Sequence, residues 1–330
     1  MTVVKTYGAL PNDSSINAEG KALMNAHSAQ DNAHSVSLAS TADEELHVIE
    51  GSGNLVFSPD YKRLHFSLHN KLLTLDIESQ IIIQEYSLGN PRVAGTSPDG
   101  RFLYARNTRA VKILVIDTQL QTITEGYEKL EARSDDMVVS PDGSQLFVAV
   151  SQGSAGSFLL IIDSATQTLI KEIETGLNSN SIVVHPQRPR VYVACVGISG
   201  EGKGVYAIDT NTYQVTHIPL EGQGWNMALS PTGDELYVSQ SNTGPITVID
   251  TLNNGVKKTF VAGESPSKLS LSLDGKLLYV LSIGNRIEVF NTQNQQFVRT
   301  IHTTKEYLHG IQTRKDNGAI WVAGTDKRLE

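Results

Sequence analysis

A single sentence is written eight times along this chain, about forty residues apart, and it constrains the fold more than any other feature. Its clearest copies are Ser97-Pro98-Asp99-Gly100, Ser140-Pro141-Asp142-Gly143, Ser230-Pro231-Thr232-Gly233 and Ser272-Leu273-Asp274-Gly275. Each is followed by a Leu-aromatic pair: Leu103-Tyr104, Leu146-Phe147, Leu236-Tyr237 and Leu278-Tyr279. Aligned on the Pro position, the copies are anchored at Ala18, Pro59, Pro98, Pro141, Pro186, Pro231, Leu273 and Arg314. Six residues after the anchor stand Met24, His65, Tyr104, Phe147, Tyr192, Tyr237 and Tyr279, and the last copy places Trp321 at plus seven. A period of 40–45 residues built from short strands is the signature of a β-propeller.

Each copy reads as a four-stranded antiparallel meander, with strands a to d running outward. An apolar strand a, such as Met137-Val138-Val139, ends at the Pro-Asp-Gly turn. There Pro presets φ and Gly supplies a positive φ. Strand b is rich in Leu, Tyr and Val. Strand c ends on an Asp or Asn, as in Leu114-Val115-Ile116-Asp117 and Glu288-Val289-Phe290-Asn291, and that side chain can cap the next turn. The wording of the repeat resembles the YVTN family of bacterial and archaeal propeller repeats over essentially the whole chain. The tryptophans, Trp225 and Trp321, are not followed by Asp, which disfavours WD40.

The expected fold is all-β, a single domain spanning 1–330. Eight blades is the preferred reading and seven the alternative. Seven complete repeats run from about Asp13 to Thr303, and two pieces are left over. Val3–Tyr7 reads as a strand d; 310–330 reads as strands a and b with the start of c. Together they make one blade shared by the two ends, which would close the ring and remove its exposed edges. The resemblance to YVTN proteins implies seven instead, with Ser14 to Ser35 as a leader.

The net charge of −8, with no Lys/Arg cluster, argues against nucleic acid and anionic membrane as partners. No apolar run approaches the ~20 residues that cross a bilayer, so membrane insertion is not expected. The start, Met1 to Tyr7, lacks the apolar core of a signal peptide, which by that criterion points to the cytoplasm. A chain trimmed of a leader would leave a secreted or surface location open. The lone Cys195 precludes an internal disulfide and reads as a small buried hydrophobe. The chain is expected to be a monomer.

Function is expected on the face that carries the variable b–c and d–a loops, of which Ser151–Ser157 and Gly197–Gly204 are the longest. At the start of strand a, five residues before each anchor, stand Asp13, Asn54, Val93, Asp136, Ser181, Asn226, Lys268 and His309. One residue earlier come Arg92, Asp135, Asn180 and Trp225. The candidate ligand-binding residues are therefore Asn54, Arg92, Asp136, Trp225, Asn226, Lys268 and His309, against the bland reading that a channel rim simply faces water. No catalytic residue, metal site or cofactor is expected. Gly197 to Lys203 matches most of a P-loop, but Gly204 stands where Ser or Thr should hold magnesium. His65 and His69 lie about 13 Å apart along a strand, too far to share a metal. A binding scaffold for a protein, glycan or small polar ligand is the first functional reading. A lactonase- or lyase-type enzyme, an activity found among related propellers, is the second. A purely structural domain of a larger protein is the third.

Overall fold

The computed structural model describes residues 36–41, 44–107, 111–129, 132–152, 156–198, 201–240 and 244–326. They form seven four-stranded sheets. Six are consecutive meanders: residues 52–87, 91–129, 133–174, 179–218, 224–260 and 268–302, here blades 1 to 6. Their innermost strands are β3 (Ser52–Phe57), β7 (Pro91–Thr96), β11 (Arg133–Val139), β15 (Ser179–Val184), β19 (Gly224–Leu229) and β23 (Lys268–Leu271). Strand β27 (Tyr307–Thr313) lies between β23 and β3 and completes the ring.

The seventh blade corrects the expectation of eight. It joins β27 and β28 (Ile320–Thr325) to the N-terminal hairpin β1 (Val36–Thr41) and β2 (Glu44–Glu50), in the order β27-β28-β2-β1. The hairpin reads in the sequence as the c and d strands of the first copy. It joins the last copy, and with the two places exchanged: β2 stands third, beside β28, and β1 is outermost. The copy anchored at Ala18, and the strand expected at Val3–Tyr7, lie outside the described residues.

Strand β2 takes the third place in this sheet and runs parallel to β28, pairing Leu46 with Ile320 through Glu50 with Gly324. The direction is imposed by β3, the next strand in the chain. A strand that leads into β3 must run as a d strand does, and in a meander d is parallel to b. Its place is set by the link, which is Gly51 alone, whereas 88–90 separate the last strand of blade 1 from β7. A single residue spans about 3.5 Å and cannot return from the outermost position across strands about 4.8 Å apart. The junction is fixed by Gly51 N–H donating to Gly324 O at 3.1 Å, and by Lys305, whose ammonium lies 2.7 Å from Asp326 and 3.8 Å from Glu50. His47 stacks on Trp321 with ring centroids 4.1 Å apart and planes 9° apart.

The repeat residues build the turns as their chemistry requires. In Ser97 to Gly100, the Ser97 hydroxyl donates to Asp99 at 2.5 Å and accepts the N–H of Phe102 at 2.9 Å. Gly143 has φ +75°, and a Cβ there would lie 2.3 Å from Pro98 Cδ of the preceding blade. Glycine thus serves both the turn and the close stacking of neighbouring turns. Asp117 accepts the N–H groups of Gln119 and Leu120; Asp163, Asp209 and Asn291 repeat the cap in blades 3, 4 and 6. Four residues beyond each cap comes a left-handed residue, Gln121, Gln167, Tyr213 and Gln295. The core lies between blades: Tyr104 packs with Met137 and Val148, and Tyr192 with Met227 and Val238.

Candidate functional site

Seven inner strands leave a central channel, a cavity of about 380 Å3. One residue per blade lines its mouth at the start of the inner strand: Asn54, Ala94, Asp136, Ser181, Asn226, Lys268 and Gly310. Four of the seven expected site residues, Asn54, Asp136, Asn226 and Lys268, stand in this ring.

The other three are set back from it. Most inner strands carry a β-bulge here, with Asp135, Trp225 and His309 as the extra residues. A bulge re-aims the side chain beside it. The last copy therefore slips by one against the sequence alignment: Gly310 holds the inner position and His309 the bulge. A side chain at 310 has no room, because a Cβ would lie 2.0 Å from Gly53 O of blade 1. His309 is bonded to Thr325 Oγ1 at 2.9 Å, and Trp225 is 38% exposed on the loop face. Arg92 lies across Gly53 and donates to Ser52 Oγ at 3.3 Å and Pro91 O at 3.2 Å.

Much of the ring's polarity joins blades. Asp136 accepts the N–H of Ile182 in blade 4 at 3.0 Å, that of Met137 at 3.0 Å, and Asn54 Nδ2 at 3.4 Å. The last bond skips blade 2, where Ala94 leaves room for it. Asn226 accepts the N–H of Leu269 in blade 6 at 3.0 Å and donates to Ser181 Oγ at 3.3 Å. These bonds satisfy backbone groups that the channel would otherwise leave to water.

Lys268 is the exception. Its side chain reaches into the channel and makes no hydrogen bond or ion pair among the described residues. Burial pulls its ammonium below the usual lysine range; the Asp136 carboxylate opposes this, while Arg106 and Arg92 add to it. Arg106 is a charge that sequence reasoning missed. It sits in the second strand of blade 2 beside Arg92, 8% exposed, and its guanidinium donates to the carbonyls of Ser134 and Asp135. The only signal for it was one arginine in an otherwise apolar strand, Leu103-Tyr104-Ala105-Arg106. Burial lowers the pKa of both arginines, and it lowers that of His309 together with the nearby Arg92.

Asp135 is withdrawn from the channel. It accepts the hydroxyls of Ser151 and Ser179 and pairs with Arg133 at 2.7 Å. The P-loop-like segment is a hairpin: Ile198 and Glu201 bridge, Lys203 donates to Glu221 O, and a strand comes next. Among the described residues no group of three His, Cys, Asp or Glu could hold a metal ion, and no helix is long and apolar enough to cross a membrane.

No family model matches the chain. It is 29% identical to antigen Lp49 of Leptospira interrogans over 206 residues, 54% of this chain and 42% of that protein. Over 51 residues it is 45% identical to the uncharacterized protein YncE of Salmonella typhi and of Salmonella typhimurium, 16% of this chain and 14% of theirs. The chain thus spans less than half the length of the curated relatives it matches. The described residues form a single β-propeller of four-stranded blades.

Proposed function

We propose that this YVTN-type propeller is a binding module whose channel mouth holds a small polar ligand, with Lys268 as the group that pairs with it. One observation carries the reading. In a ring where Asn54, Asp136, Ser181 and Asn226 are hydrogen-bonded to protein, Lys268 is left half-buried with no hydrogen bond or ion pair among the described residues. A partly desolvated cation without a partner costs some stability, so a structural role alone gives it little reason to be there. Ala94 and Gly310 leave open wall on both sides of Asn54, where a ligand could reach the amine. The loop face around the mouth exposes Ile198, Trp225, Ile283 and Tyr307, a rim that suits a larger partner bearing the ligand, such as a protein or glycan.

The enzyme reading is weaker, because its imidazole, His309, is bonded to Thr325 and does not line the cavity. A thermal-shift screen against sugars, organic acids, lactones, nucleotides and metals, run beside Lys268→Met, tests the proposal. A ligand of the channel mouth raises the melting temperature of the wild type and not of the variant. Ligands that shift both proteins equally would place binding elsewhere.

A further inference from the structure

We infer that the ligand of the channel mouth is a small oxyanion, a molecule bearing a carboxylate or phosphoryl group, held against Lys268 on the Gly310 side of the ring. The inference rests on the channel-mouth reading and adds the ligand's chemistry. It is drawn from where charge and unused bonding capacity lie.

The groups whose fields meet here are Arg92, Arg106, Arg133 and Lys268 on one side of the balance, and Asp135 and Asp136 on the other. Asp135 is matched by Arg133. That leaves three cations around one carboxylate, in a protein whose net charge is −8. Local charge in a low-dielectric channel counts for far more than the distant surface charge, which salt screens. An anion is therefore favoured at a point where the protein as a whole would repel it.

Bonding capacity narrows the choice further. Asp136 already accepts three N–H donors, so its carboxylate has little left for a cationic ligand. The arginines are committed to Ser52 Oγ and to backbone carbonyls, so they act through their field rather than by contact. Within the ring at the mouth, Lys268 is the residue whose donors are all unused, and Asn54, across Gly310 from it, bonds Asp136 through one amide N–H. A donor-rich, acceptor-poor pocket of this size fits one acidic group on a small polar body.

Titration calorimetry at low ionic strength tests this with succinate, inorganic phosphate and uncharged glycerol as probes, on the wild type, Lys268→Met and Lys268→Arg. The methionine removes an unpaired, half-buried charge and nearly keeps the volume, so this variant melts no lower than the wild type and folding is not in question. Succinate or phosphate is expected to bind the wild type, at least tenfold more weakly to Lys268→Met, with much of the loss restored by arginine and all binding weakened by salt. Preference for one anion over the other assigns the source of the acidic group, and either supports the inference. If glycerol binds and neither anion does, the oxyanion is overturned while the channel site stands. If Lys268→Met binds the anions as the wild type does, Lys268 is not the pairing group. Absence of binding by every probe would sink both readings.

Discussion

His65 gives this fold a built-in sensitivity to acid. It occupies the aromatic position of the repeat in blade 1, is 2% exposed, and has one ring nitrogen bonded to Thr74 Oγ1 at 2.9 Å. Burial, aided by the charge of Arg63 and opposed by Asp60, pushes its pKa down to about 4. The unfolded chain takes up this proton near 6.5 and the folded one only near 4, so the unfolded state binds more protons between those values. Stability is therefore intact above pH 6.5 and falls as the pH is lowered towards 4. The gap is worth about 3 kcal/mol at its full extent. His65→Phe, which installs the residue that blade 3 uses at Phe147, removes the titration and keeps an aromatic ring. Urea denaturation from about pH 7.5 to 4 should show the wild type losing about 3 kcal/mol relative to the variant, with the whole difference developing below about pH 6.5. His47, His185 and His309, also lowered by burial, remain in both proteins and cancel. Parallel pH profiles for the two proteins would refute the assignment.

Trp321 fills the seam between blades with no exposed surface, and Trp321→Ala is expected to cost about 3–5 kcal/mol. That corresponds to a fall in melting temperature on the order of 10 °C by calorimetry. Trp321→Phe should cost much less, since it also removes an indole N–H that has no partner. Gly310→Ala forces backbone apart at the channel wall and should destabilise by roughly 1–3 kcal/mol in the same assay. Gly89→Ala, whose Cβ would meet only Asn107 Nδ2 at 3.5 Å, serves as the neutral control. The thiol of Cys195 is fully buried and pushed up to about 12, so it should resist a disulfide reagent at about pH 8 until urea unfolds the chain. Rapid labelling of the folded protein would contradict that.

The strands and turns were legible because each rests on local chemistry. Ser140-Pro141-Asp142-Gly143 specifies its turn from four residues, and Asp163 its cap from the next three. Blade number was not, because Val36–Thr41 and Glu44–Glu50 carry the same pattern whichever sheet they join. Only the short Gly51 link and the company of Trp321 decide that, and both act across the chain. The site was half legible. Polar residues at the start of strand a pointed to Asn54, Asp136, Asn226 and Lys268. A bulge, however, moves a side chain without leaving a mark in the repeat, so His309 was placed one position inward of where it lies. Arg106 was missed because its contacts are carbonyls of another blade, and no motif encodes those.

The parallel pairing of β2 with β28 is the clasp of a belt. It joins points roughly 270 residues apart, and bringing such distant segments together costs about 5 kcal/mol in chain entropy. Every other sheet forms from contiguous chain and can assemble early; this one must wait for all of them. Its five residue pairs should therefore be the last made in folding and the first lost in fluctuation, releasing a string of six intact blades rather than an unfolded chain. Amide hydrogens of Leu46–Glu50 should exchange with solvent sooner than those of the equally buried strands in blades 3 and 4. The wall that carries Gly310 belongs to this clasp, so its opening would also open the channel from the side.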